Sequence, residues 1–237
     1  MTGAGPAQVG AVAQVFVDDL DTLDVCEDDA HHLGRSLRLR PGELVVAADG
    51  AGRWRTCRYR SGSPLEADGA VVETPRPARL VTVGFVPVKG ERPEWVVQKL
   101  TELGVDRIVV LSSARSVVRW QGERADRSVD RLRRVAREAA AQSRRAWMAT
   151  VDGVWSLSDL RSRLAPERLA LADPGGEPPD GGVLAVAVGP EGGWDDAELA
   201  SAPSRLGLGP GVLRAETAAL ASGTLLCALR DGMFGHR

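Results

Sequence analysis

Apolar and polar positions along the first third of the chain alternate in short stretches broken by turn formers. From Arg79 onward they group instead into strands and helices in alternation. In the first region Gln14–Val17, Glu43–Ala48, Trp54–Tyr59 and Ala70–Glu73 read as strands, separated by Pro41-Gly42, Asp49-Gly50 and Ser61-Gly62-Ser63-Pro64. Ala30–Leu39 reads as a short helix capped by Asp28 or Asp29. This spacing fits a small β-barrel. The run Thr74–Ala78 has two prolines and no periodicity, and reads as a linker.

Beyond it, Leu80–Phe85 predicts a strand, Arg92–Leu103 a helix that stops at Gly104, and Arg107–Leu111 a buried strand. Ser128–Arg144 predicts an amphipathic helix with Val129, Leu132, Val135, Ala136 and Ala139 on one side. Leu157–Leu164 reads as a short helix and Arg168–Ala172 as a strand, followed by a Gly/Pro-rich loop over Asp173–Gly182. Val183–Val188 is continuously apolar, as a strand covered on both faces would be. Asp195–Ser201 opens with capping-box spacing, Asp195 to Glu198, and Glu216–Leu229 predicts a closing helix. Such alternation implies an α/β domain with a mostly parallel sheet.

Composition narrows the class. The 237 residues are 43% apolar and 26% charged, suited to one large or two modest globular domains. No apolar run approaches the roughly 20 residues that span a bilayer, and Met1–Val12 lacks the features of a secretory signal. Three scattered cysteines, Cys26, Cys57 and Cys227, suit neither a disulfide framework nor a zinc site. A cytoplasmic setting without metal is the expectation. The net charge of −2 conceals segregation: seven acids and no base over Asp18–Asp29, then seven arginines against two acids over His31–Arg60, and ten against four over Arg115–Arg145. Basic blocks in an acidic chain either form phosphate-binding faces or are simply solvated. Lys89 and Lys99 are the only lysines, so the basic chemistry is that of the arginine fork.

Two loops carry the candidate chemistry. Gly189-Pro190-Glu191-Gly192-Gly193 follows a buried strand and precedes a capped helix, at the carboxyl end of the sheet where open α/β folds bind ligands. An ordinary strand-to-helix turn has the same features. No Gly-x-Gly-x-x-Gly follows a strand and no Gly-Lys-Ser/Thr follows the glycines, which argues against a dinucleotide or a nucleoside triphosphate. The second loop, Leu206–Ala218, leads through Gly209-Pro210-Gly211 to Arg214, Glu216 and Thr217 at a helix mouth. Glu216 and Thr217 suit local capping there. Arg214 does not, unless it faces an anion or an oxygen-rich ligand.

Together Gly189–Gly193 and Leu208–Ala219 resemble the signature of the RsmE family of ribosomal RNA methyltransferases, within the SPOUT superfamily. The resemblance extends through His32–Arg40 with Pro41–Gly52, Lys89–Arg92 with Gln98–Val105, Arg115-Ser116-Val117, and Glu138–Arg145. Ser36, Trp95 and Ala114 depart from the family's usual residues. The resemblance implies a PUA-like β-barrel over residues 1–75 and a SPOUT-type trefoil-knotted α/β methyltransferase domain over 79–237. It also implies a homodimer that transfers methyl from S-adenosylmethionine to N3 of a uridine in small-subunit ribosomal RNA, free or in the assembled subunit. The cofactor would be held by Leu171, Ala172 and Asp173, by Gly189, Pro190, Glu191, Gly192 and Gly193, and by Leu208, Gly209, Val212 and Leu213, with Thr217 and Ala218 nearby.

The sulfonium donor carries an activated methyl, so alignment of N3 with that carbon dominates catalysis. The N3 proton must leave, which calls for a base or a stabiliser of the uracil anion. Arg214 is the first candidate for the stabilising role. Glu216 is a candidate proton acceptor, with capping or orienting Arg214 as the alternative. Glu191 is read chiefly as fixing its loop, and His31 and His32 are assigned no catalysis. An RNA face would combine Arg35, Arg38, Arg40, Arg53 and Arg55. Lys89 and Arg92 are read as partly structural and partly RNA-facing. Two rivals stay open: a knotted methyltransferase acting on a ribose 2′-hydroxyl or on transfer RNA, and a non-catalytic RNA-binding protein of the same fold.

Overall fold

The short apolar runs of the second region become strands that are buried on both faces. In the computed structural model, which describes residues 5–90, 92–164, 169–202 and 204–233, the chain divides into two compact units. One comprises Met1–Pro77 with Arg137–Met148, the other Ala78–Ala136 with Ala149–Arg237. The linker expected at Thr74–Ala78 coincides with the first crossing. The contiguous second domain expected from the sequence is interrupted, because residues 137–148 belong with the first unit.

In the first unit β1 (Ala13–Phe16) pairs parallel with β2 (Leu44–Ala48), and β2 pairs antiparallel with β3 (Arg53–Arg60). β3 also pairs with β4 (Gly62–Ala67) and β5 (Val72–Glu73). The sequence predicts a turn where β4 begins. Pro64 cannot donate to a ladder and reads as a breaker, but it falls where the β3–β4 register shifts, so no bond is lost. α1 (Glu27–His31) starts earlier than expected. Asp28 and Asp29 lie in its first turn, favoured by the helix dipole, while Cys26 occupies the cap position. His32–Ser36 follows as a wider π turn. Within this unit Arg137 donates to Asp29 at 2.8 Å and to the Phe16 carbonyl at 3.0 Å. Trp147 donates to the Thr74 carbonyl at 2.9 Å.

The second unit is built on β6 (Thr82–Phe85), β7 (Arg107–Leu111), β8 (Thr150–Trp155), β9 (Leu169–Glu177), β10 (Ala185–Val188) and β11 (Arg205–Leu206). They form one sheet in the order β11-β9-β10-β6-β7-β8, and every pairing is parallel. Consecutive residues of β7 enter opposite cores. Ile108 and Val110 pack with Val186, Leu132 and Leu226, whereas Val109 and Leu111 pack with Leu171, Leu160 and Trp194. The covering helices are α2 (Arg92–Glu102), α3 (Gly122–Gln142), α4 (Leu157–Arg163), α5 (Asp196–Ser201) and α6 (Ala215–Arg230). α5 opens with the expected reciprocal Asp195–Glu198 cap.

Three departures from the sequence reading share one cause, which is that pairing or charge replaces apolar periodicity. β8 is an edge strand whose Asp152 pairs with Arg107 at 3.2 Å, so its hydrophobic pattern is weak. α3 begins at Gly122, six residues before the expected start at Ser128, in a stretch that carries Glu123 in the first turn. β9 runs on through Asp173–Gly176, expected as loop, because β11 pairs beside it. The expected start of β9 at Arg168, the motif residue Glu91 and the C-terminal tail lie outside the described residues.

The β9–β11 crossing tolerates no side chain at Gly176, where a Cβ would stand 2.5 Å from the Leu206 carbonyl carbon and 2.6 Å from the Gly207 nitrogen. The opposing atoms are backbone and cannot rotate away. Gly176→Ala should therefore lower the midpoint of urea unfolding by the equivalent of about 1–3 kcal/mol. Gly153→Ala, where a Cβ meets nothing within 4 Å, should change it by about 0.5 kcal/mol or less.

Candidate active site

Parallel strands put all their carboxyl ends on one edge, and there the later part of β9 and the loops after β10 and β11 converge. They enclose a cavity of about 110 Å³ lined by Ala172, Asp173 and Pro174, by Val188–Trp194 apart from Gly192, by Leu208, Gly209, Gly211 and Leu213, and by Ala215 and Ala218 of α6. Asp173 and Glu191 are the charged side chains among these residues; the rest of the lining is glycine backbone and apolar surface. Among the described residues no His, Cys, Asp or Glu cluster is arranged to hold a metal ion.

The loop after β10 owes its shape to a few interactions. Gly193, in the left-handed region at φ +70°, donates its N–H to the Pro190 carbonyl at 2.8 Å and closes a tight turn. Trp194 is buried and donates its indole N–H to the Ala172 carbonyl at 3.3 Å, joining the loop after β10 to β9. Gly189 packs on that indole, where a Cβ would sit 3.0 Å from the ring, closer than an ordinary contact. Arg115 donates to the Gly192 carbonyl at 3.1 Å from the loop after β7. Glu198 accepts from the Ala114 and Asp195 backbone at 3.1 and 2.9 Å and from the Ser113 hydroxyl at 3.3 Å.

Of the residues expected to hold a cofactor, Ala172, Asp173, Gly189, Pro190, Glu191, Gly193, Leu208, Gly209, Leu213 and Ala218 line the cavity. Leu171 does not; its side chain is fully buried in the core as its backbone pairs with Ala187. Gly192 contributes its carbonyl to Arg115 instead. Val212 and Thr217 project outward, Val212 with 88% of its surface exposed. Sequence reasoning missed Pro174, Val188, Trp194 and Ala215. Val188 and Trp194 immediately flank the glycine loop, so extending the motif one residue each way would have found both.

Arg214 is the cap residue of α6, exposed, between cavity-lining Leu213 and Ala215. Its side chain makes no capping bond. Glu216 meets Arg92 rather than Arg214: one Arg92 nitrogen lies 3.3 Å from Glu216 Oε1 and 3.6 Å from Glu191 Oε1. Lys89 is exposed.

The expected RNA-facing arginines separate into two kinds. Arg55 is committed internally, with Nε and Nη2 donating to the Gly69 carbonyl at 2.9 and 2.6 Å and Nη1 to the Leu20 carbonyl at 3.1 Å. Arg53 pairs with Asp49 at 2.8 Å. Burial works to raise the Asp49 pKa, but hydrogen bonds from Ala51 and Arg53 outweigh it and hold the carboxyl below its ordinary range. Arg35, Arg38 and Arg40 are exposed, and Arg38 adopts φ +53°, an uncommon conformation for a side-chain-bearing residue.

Comparison with known proteins agrees with this arrangement. The RNA methyltransferase domain family matches residues 74–227, and the RNA methyltransferase PUA domain family matches residues 25–69. Ribosomal RNA small subunit methyltransferase E of Mycobacterium tuberculosis is 36% identical over 211 residues, covering 81% of this chain and 80% of that protein. The Bacillus subtilis protein of the same name is 28% identical over 228 residues, 86% and 89% of the two chains. The crystal structure of ribosomal RNA small subunit methyltransferase E from Neisseria gonorrhoeae bound to S-adenosylmethionine superposes with a TM-score of 0.77. It is 25% identical, over 92% of this chain and 97% of that one.

Trp194 is the wall on which the cavity rests. Trp194→Ala should cost about 3–5 kcal/mol in chemical unfolding. Trp194→Phe should keep most of the packing and lose about 1 kcal/mol with the hydrogen bond to Ala172. Equal losses in both variants would show that packing against Gly189 contributes little.

Proposed function

The chain belongs to the ribosomal RNA small subunit methyltransferase E (RsmE) family of the SPOUT superfamily, and from that premise we propose that it methylates N3 of a uridine in small-subunit ribosomal RNA, using S-adenosylmethionine. The observation that carries the reading is the character of the cavity. Two carboxylates, Asp173 and Glu191, and no basic side chain line it, which suits a ligand bearing a sulfonium and an ammonium and disfavours a polyphosphate. At Gly193 and Gly209, where a Cβ would meet nothing within 4 Å, the backbone leaves space for a flat ring to approach. When bound, S-adenosylmethionine supplies a methyl group already activated for transfer.

The chain's own contribution is positioning and charge. Asp173 and Glu191 orient the cationic portion of the cofactor, and the Trp194 wall and apolar lining exclude water. Arg214 stands at the cavity's edge with its guanidinium outward. There it stabilises the charge that develops on the uracil carbonyl oxygens as N3 gives up its proton. The N3 edge is occupied in a base-paired helix, so the target must be unpaired or turned out of its stack. The exposed group Arg35, Arg38 and Arg40 meets RNA phosphates, with Lys89 as a further contact, whereas the internal bonds of Arg55 give it a structural role. A trefoil knot around the β9–β11 loops, closure of the first-unit sheet into a PUA-like barrel, a homodimer and a cytoplasmic site of action complete the proposal. No described helix is long and apolar enough to cross a membrane.

Incubation with methyl-labelled S-adenosylmethionine and small ribosomal subunits lacking the mark should yield 3-methyluridine. Absence of transfer would sink the enzyme reading, and a 2′-O-methyl nucleoside or a transfer RNA product would sink the target. Arg214→Ala should lower turnover by about a hundredfold or more while RNA affinity changes little. Replacing Arg35, Arg38 and Arg40 by Gln should weaken RNA binding and reduce the slope of log affinity against log salt by about 0.7–0.9 for each phosphate no longer neutralised.

A further inference from the structure

We propose that Arg92 is a positioning residue of the cofactor cavity, acting through Glu191 and Glu216, and that its place in the machinery is not an RNA phosphate contact. The inference rests on the cofactor reading above and deepens it. Arg92 opens α2, where the positive end of the helix dipole disfavours a cation unless acidic groups offset it. Two do. Glu191 belongs to the loop after β10, and Glu216 to the first turn of α6. Both segments line the cavity, one through Gly189, Pro190, Glu191 and Gly193, the other through Ala215 and Ala218. A single guanidinium contacts both segments.

Burial shows which contact matters more. Glu191 is 65% exposed at its side chain and Glu216 only 13%, so the Glu216 pair is the less screened by water. The second Glu216 oxygen, Oε2, is buried without a hydrogen-bond partner. Remove Arg92, and a largely buried carboxylate loses its counter-charge while a second carboxylate stays nearby. Repulsion and the drive to rehydrate then push the α6 turn and the glycine loop apart. Both contacts are made by the same nitrogen, Nη1, so a point charge serves and the planar fork is not required. Lysine should therefore restore much of what glutamine loses.

The test measures S-adenosylmethionine affinity by calorimetry, together with kinetics and RNA binding, in Arg92→Gln, Arg92→Lys, Glu216→Gln and the Arg92→Gln/Glu216→Gln double variant. Arg92→Gln should weaken cofactor binding about tenfold, the equivalent of 1.4 kcal/mol. It should raise KM for the cofactor with kcat at saturation changed about twofold or less. Arg92→Lys should bind within about threefold of the parent. The double variant should bind no worse than Arg92→Gln alone, since its buried charge is gone. The salt slope of RNA binding should be unchanged in Arg92→Gln but fall in Arg38→Gln. Parental cofactor affinity in Arg92→Gln, or additive losses in the double variant, would overturn the proposal. So would a reduced salt slope with cofactor binding intact. If Arg92→Gln does not fold, Arg92→Lys and Glu216→Gln decide: Glu216→Gln binding the cofactor as the parent does overturns it. If the parent itself fails to bind S-adenosylmethionine, the cavity reading falls first and the bridge with it.

Discussion

Everything at the site depends on the insertion of β10 between β9 and β6 in parallel with both. A parallel strand cannot be reached by a hairpin, so successive strands of this sheet are joined by crossovers and all six end on the same edge. The end of β9 and the loops that leave β10 and β11 are thereby gathered without any need for mutual attraction. What these segments must supply is a close fit. They do so with glycine where backbone meets indole or backbone, at Gly189 and Gly176, and with one tryptophan that hydrogen-bonds from the β10 loop to β9.

Much of this is legible in the chain itself. The apolar runs ending at Phe85, Leu111 and Val188 mark central strands, because a strand covered on both faces has no polar alternation to confuse it. The Asp195–Glu198 cap marks the start of α5, since its chemistry is local. The edges are harder. β8 stabilises itself with an ion pair at Asp152, and β9 continues through Asp173-Pro174-Gly175-Gly176, which in isolation spells a turn. In both places pairing partners distant in sequence decide the conformation, and no window of neighbouring residues contains them. Similarly, Leu171 is grouped with the cavity by its position in a motif, while the pleat turns its side chain into the core.

Arginine roles are the least readable, for a physical reason. A guanidinium satisfied by backbone carbonyls and one facing solvent are the same letter. Arg55 is absorbed by Gly69 and Leu20. Arg137 is absorbed by Asp29 and Phe16. Arg230 reaches the Gly104 carbonyl at 3.2 Å and the Asp106 carboxylate at 2.7 Å. The charge segregation along the chain therefore overstates the basic surface left for a partner. It also hides the reverse case, Arg92, where a residue that looks suited to nucleic acid is engaged by two glutamates beside the cavity.

The arrangement of the units has a consequence for how the chain is made. Thr82 of β6 finds its β10 partner only in Ala185, and the first unit is incomplete until residues 137–148 have been added. At ~5–20 residues per second of synthesis, the apolar edge of β6 waits several seconds for its neighbour to exist. The nascent chain must therefore keep this edge of β6 from pairing elsewhere during that interval. The short length of the strand, four residues, limits the edge it exposes while it waits.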